Sequence, residues 1–135
     1  MDNATLVLRR MIELIATDVA AWVQLFSDEA VVEFPYAASL GRPERLEGKA
    51  AIASYFLATP GTFTNLRFRD LRVIESADPS LAVAEVHGSA TLMPMNAPYE
   101  QDYVMILRTE DGKAVHYREY WNPLNGREHL AGAAQ

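Results

Sequence analysis

The segment Val115 to Pro123 carries one acid, Glu119, with Tyr117 two residues before it and Trp121 two residues after. In an extended chain side chains alternate, so Val115, Tyr117, Glu119 and Trp121 share one face of a strand, and Ala114, His116, Arg118 and Tyr120 the other. A carboxyl flanked by aromatic rings loses water. Desolvation penalises its charged form and raises its pKa toward the range useful for proton transfer. The sequence leaves open whether Glu119 would give or take the proton. His87 titrates near neutrality when unperturbed and is the expected catalytic partner. Glu85 falls on the same face of its segment and is expected in the pocket with it; a hydrogen-bonded structural pair is the competing reading.

The expected ligand-binding set is Trp22, Phe34, Tyr36, Tyr55, Glu85, Tyr103, Tyr117 and Trp121. Phe26 is a further aromatic candidate. Tyr36 and Tyr103 weigh most, because a buried phenol needs a partner and can orient a ligand oxygen. The same aromatics at helix and strand spacing would also serve as plain core. Met93 and Met95, around Pro94, would form an adaptable lid or, on the favoured reading, fill gaps in the core.

These residues must be carried by regular elements. Val7, Met11, Leu14 and Ile15 recur at helical spacing, and Asp18 can cap a second helix presenting Val19, Trp22, Val23 and Phe26. Val31 to Tyr36 reads as a short strand ended by Pro35 and the loop containing Gly41 and Pro43. Lys49 to Leu57 returns to helix, with Ile52, Tyr55 and Phe56 on one face, and Pro60-Gly61 closes it. Alternating segments then follow at roughly 63 to 75, 81 to 92, 99 to 109 and 113 to 121, in meander order. Leu66 and Phe68 share one parity and Leu71 and Val73 the other, which predicts a bulge near Asp70 and a curved sheet. The expected fold is α+β: a cone-shaped, curved antiparallel sheet wrapped around N-terminal helices and enclosing a pocket, with residues 1–135 forming one domain.

Composition narrows the function. The chain has 135 residues, 50% of them apolar, 22% charged and none cysteine. That suits a globular protein with a core, and it offers no disulfide, thiol nucleophile or thiolate metal site. A net charge of -6 and the lack of a basic patch argue against nucleic acid. Arg67, Arg69 and Arg72 read as a solvated strand face. No apolar run approaches membrane-spanning length and the first residues lack a signal-peptide pattern, so a cytoplasmic location is the default. His87, His116 and His129 show no short ligand spacing. Neither metal nor cofactor is expected.

Three stretches, Leu25 to Pro35, Leu46 to Ile52, and Asp111-Gly112-Lys113 running into Tyr117 to Trp121, together resemble the SnoaL-like branch of the nuclear transport factor 2-like superfamily. The resemblance covers nearly the whole chain. It implies a cone-shaped α+β barrel with an apolar pocket, commonly a homodimer, on which different members run different reactions. Within that fold, matching to ketosteroid isomerases puts apolar Phe34, Met11 and Val104 where the isomerase base and oxyanion-hole residues would fall, which disfavours that mechanism. Tyr117 to Trp121 is similar to the last strand of limonene epoxide hydrolases, with Glu119 in place of their Asp. Their earlier Arg and Asp correspond to Glu85-Val86-His87-Gly88, a departure. Glu75 to Pro79, Glu85, Gly88 and Arg118-Glu119 look like the pattern of phenazine-biosynthesis A/B proteins, whose catalytic Glu sits at Glu119. The expectation is an enzyme using acid/base catalysis on a small, largely apolar carbonyl- or epoxide-bearing molecule, of isomerase, cyclase, condensing or hydrolase type. A noncatalytic protein binding a small apolar ligand is the alternative.

Overall fold

A computed structural model describes residues 3–126. His129 and the other residues beyond Gly126 lie outside the described residues. The chain opens with α1 (Ala4–Thr17), whose first turn is capped by the Asn3 side chain accepting from the Leu6 N–H at 3.0 Å. Its buried stripe is Ala4, Val7, Leu8, Met11 and Ile12, with Leu14 and Ile15 partly buried. Asp18 caps α2 (Val19–Gln24) as expected, accepting from the Ala21 N–H at 3.1 Å.

Strand β1 (Phe26–Glu33) then begins earlier than the sequence pattern suggested. Phe26 is the first residue of this strand and not the last of a helical face. It pairs in register with Ala114, and its ring meets Trp22 edge-on at 4.8 Å, so one aromatic contact joins α2 to the sheet. After a short 3-10 turn (Ala37–Leu40), β2 (Arg45–Glu47) pairs back on β1. Helix α3 (Lys49–Phe56) follows Gly48, which sits at φ 89°, a conformation that a residue with a Cβ adopts only under strain. A single helical turn, α4 (Thr59–Thr62), leads into the long strands β3 (Phe63–Glu75), β4 (Leu81–Leu92), β5 (Ala97–Glu110) and β6 (Lys113–Trp121).

The six strands form one sheet in the order β2-β1-β6-β5-β4-β3. The antiparallel meander of β3 to β6 is as expected, whereas β1 joins β6 in parallel, a pairing of residues far apart in sequence. A register shift between Arg69 and Arg72, with Asp70 at φ 57°, supplies the bulge that bends β3. A second shift at Arg108/Thr109 puts Ala114, and not Val115, on the buried side of β6. The curved sheet presents its concave face to the helices: α1 lies against β3, β4 and β5, and α3 against β1. Trp22 is the centre of that packing, with ring centroids 4.3 Å from Phe56 and 6.4 Å from Tyr117. Among the described residues no helix is long and apolar enough to cross a membrane.

Candidate active site

A cavity of about 340 Å³ opens between the concave sheet face and the helices. Its floor comes from alternate residues of the two central strands, Tyr99, Tyr103 and Met105 on β5 and Tyr117, Glu119 and Trp121 on β6. The pairing is direct: Tyr103 opposes Trp121, Met105 opposes Glu119 and Leu107 opposes Tyr117. Met11, Ile12 and Ile15 of α1, Trp22 of α2, and Tyr55 and Phe56 of α3 close it from above. Phe34, just after β1, forms part of the wall, its ring 5.7 Å from Tyr55 and 5.8 Å from Phe56.

Glu119 is the single carboxylic acid among the described residues lining this cavity. Its side chain is partly buried where β6 faces the cavity. Burial pushes its pKa from the ordinary 4.5 to about 7, against the pull of two donors and a distant cation. The donors are its strand neighbours: the Tyr117 hydroxyl donates to Glu119 Oε1 at 2.8 Å, and the Trp121 indole N–H donates to the same carboxyl. The cation is Arg42. Burial also raises the Tyr103 and Tyr117 phenols well above their usual range, so both remain neutral donors. The cavity therefore combines an acid that holds or releases a proton at neutral pH with hydroxyls able to hydrogen-bond a developing negative oxygen.

Seven of the ten residues singled out from sequence line this space: Trp22, Phe34, Tyr55, Tyr103, Tyr117, Glu119 and Trp121. Tyr36, Glu85 and His87 do not. Tyr36 is half exposed beside the 3-10 turn, its ring edge-on to Tyr120 at 5.7 Å. Glu85 and His87 share a face, as their spacing requires, but it is the outer one. The inner parity of β4 belongs to Ala82, Ala84, Val86, Gly88, Ala90 and Leu92, all buried. Glu85 pairs with Arg72 at 2.9 Å. His87 Nδ1 lies 2.8 Å from Asp102 and Nε2 2.6 Å from Glu100, and these two acids, Glu100 first, raise its pKa and favour the imidazolium. It cannot meet Glu119 through the sheet. Nor do Glu85 and His87 pair with each other. Met93 and Met95 are exposed in the β4–β5 turn, where they neither fill the core nor line the cavity.

Of the positions matched to the steroid isomerases, Phe34 and Met11 line the cavity, while Val104 faces outward. Its inward neighbour, Met105, is apolar as well.

Sequence reasoning missed Arg42, Tyr99 and Gln101. Gln101 is fully buried; its Nε2 donates to the Tyr99 hydroxyl at 3.1 Å and to the Asn122 carbonyl at 2.8 Å, while Oε1 accepts from the Asn122 N–H at 3.0 Å. It thus ties the chain after β6 to β5 and aims Tyr99 at Tyr103, with which it shares a hydrogen bond. The inward parity of β5, Tyr99, Gln101, Tyr103 and Met105, was the available signal. Among the described residues no group of three His, Asp or Glu side chains converges as a metal site.

The sequence model of the SnoaL-like domain family matches residues 8–117. A PhzA/B-like protein of Pseudomonas aeruginosa is 41% identical over 115 residues, 85% of this chain and 80% of its own. A proposed isomerase from Bacillus subtilis, known from its crystal structure, is 36% identical and superposes with a TM-score of 0.82 over 96% of this chain and 91% of that one. A proposed polyketide cyclase from Pseudomonas putida, at 21% identity, shares the fold with a TM-score of 0.81 over 97% of this chain and 100% of its own. With a family match that spans most of its length and relatives this similar across nearly all of it, the chain belongs to the SnoaL-like domain family.

Proposed function

We propose that this protein is an isomerase- or cyclase-type enzyme that moves a proton on a small, largely apolar, carbonyl-bearing molecule, with Glu119 as the catalytic residue. One observation carries the reading: the cavity holds a carboxyl whose pKa burial raises to about 7. A general acid or base works best when its pKa lies near the working pH, and a positioned one contributes about 10²–10⁴-fold. Tyr117 and Trp121 hold the carboxyl in place, leaving its remaining lone pair or proton for the ligand. Tyr99, whose hydroxyl accepts from Tyr103 and Gln101, would donate its own proton to the carbonyl oxygen as it gains negative charge. Trp22, Phe34, Tyr55 and Trp121 would supply the apolar walls that exclude water. The proposed isomerase and the proposed polyketide cyclase that share this fold agree with this class of chemistry.

The test is exchange of the α-protons of 2-tetralone for deuterium, followed by NMR in D2O at pH 7. The wild-type protein should accelerate exchange, and Glu119→Gln should reduce the acceleration by about a hundredfold or more. Equal rates for wild type and E119Q would remove Glu119 from the chemistry, and a ligand retained without turnover would make the protein a binding module.

A further inference from the structure

One charged group in the cavity has no carboxylate within ion-pair distance among the described residues. Arg42 lines the cavity, and its Nε is buried without a hydrogen-bond partner among the described residues. The guanidinium carbon lies 5.9 Å above the Tyr55 ring, and the group also hydrogen-bonds the Tyr55 hydroxyl. No carboxylate among the described residues comes within ion-pair distance of it, in contrast to Arg45, Arg72, Arg108 and Arg118 on the surface. Its position is built. The Arg42 N–H donates to the Ala37 carbonyl at 3.1 Å, Gly41 before it takes a left-handed turn at φ 71°, and the Phe34 N–H donates to the Glu44 carbonyl at 2.8 Å, so both ends of the loop are pinned.

We propose that Arg42 is an anion subsite of this cavity and that the substrate is a small organic acid, its carboxylate held by Arg42 and its reacting carbon presented to Glu119. An unpaired guanidinium in a partly dry pocket is unfavourable, and its planar fork matches a carboxylate better than any neutral group. The other groups facing the space do not neutralise it: Tyr55, Tyr99, Tyr103 and Tyr117 stay protonated, and Glu119 is only partly ionised at neutral pH. A carboxylate placed there offsets the Arg42 charge and adds a negative charge near Glu119. Both effects favour the protonated Glu119, so binding the acid takes up a proton and arms the residue as a donor. The inference rests on the acid/base reading of the same cavity.

Calorimetric titration with 1-naphthylacetate and its neutral isostere 1-naphthylacetamide tests it. Wild type should bind the acid at least about tenfold more tightly than the amide, Arg42→Gln should bring the two within about twofold while keeping the amide affinity, and Arg42→Lys should retain part of the preference. Repeating the titration at pH 7 in buffers of different ionisation enthalpy should show proton uptake with the acid in wild type and none in Glu119→Gln. Equal affinity for acid and amide, a preference that survives R42Q, or no binding of the acid overturns the subsite. An intact, Arg42-dependent preference without proton uptake upholds the subsite and counts against the acid/base reading instead, which keeps the two failures apart.

Discussion

Glu33 and Glu119 sit on adjacent strands, since Glu33 opposes Arg118 in the parallel β1–β6 pair and Glu119 is the next residue along, yet they face opposite sides of one sheet. On the outer face Glu33 accepts from Arg118 at 3.0 Å, from Arg45 at 3.1 Å and from His116, and Arg118 first, then His116, hold its pKa below the usual carboxylate range. On the inner face Glu119 has only neutral donors in contact, and burial dominates. The residue type is the same, and the period of two decides which chemistry it gets. Ion pairs on the outside fix charges in place; the inside leaves one proton undecided near neutrality.

The contrast breaks most visibly in turnover. Glu119→Gln should lower proton transfer by about 10²–10⁴-fold, whereas Glu33→Gln, which disturbs only the outer face, should leave it within about twofold; the deuterium-exchange assay reads both. A large loss from E33Q would mean that the two faces are not independent.

Stability against pH gives the next effect. Glu119 is raised in the fold, so between its unfolded value near 4.5 and about 7 the native state binds more protons than the unfolded chain. Stability from this group is therefore lost as pH rises through that window and constant above it. Urea unfolding at pH 5 and pH 8 should show wild type losing about 2–3 kcal/mol more than Glu119→Gln. Glu33, with a lowered pKa, has the opposite sign: its contribution is present above the unfolded value and disappears as pH falls through the folded one.

Packing beneath the cavity comes third. A Cβ on Gly88 would meet Tyr103 at 2.9 Å and Phe68 at 3.1 Å, so Gly88→Ala should push these rings toward the ligand space and destabilise by about 1–3 kcal/mol. Thermal melts and the naphthylacetamide affinity would report the two consequences. The smallest effect is on the other face. His87→Ala removes the Glu100 and Asp102 contacts but touches nothing in the cavity, so exchange rates should stay within about twofold of wild type.

How much of this was legible in the chain follows from how local each signal is. The meander and the inward facing of Tyr117, Glu119 and Trp121 depend on alternation within a few residues, and both are found. Alternation does not say which parity faces in. For β4 the small apolar set Ala82, Ala84, Val86, Gly88 and Ala90 marked the inner face, and reading His87 by its chemistry put it on the wrong side. The parallel β1–β6 pairing joins Phe26 to Ala114 and has no local signature. Arg42 lies in a Gly- and Pro-bounded loop without periodicity, so its place over the cavity depends on tertiary hydrogen bonds that no spacing encodes.

The central claim is that Glu119 holds its proton until near neutrality, and side-chain carboxyl NMR of glutamate-labelled protein tests it directly, with Glu119→Gln assigning the signal. A midpoint of about 7 is expected for Glu119. A midpoint at the ordinary 4.5 would contradict it, and the inner face would then hold no proton to transfer at neutral pH.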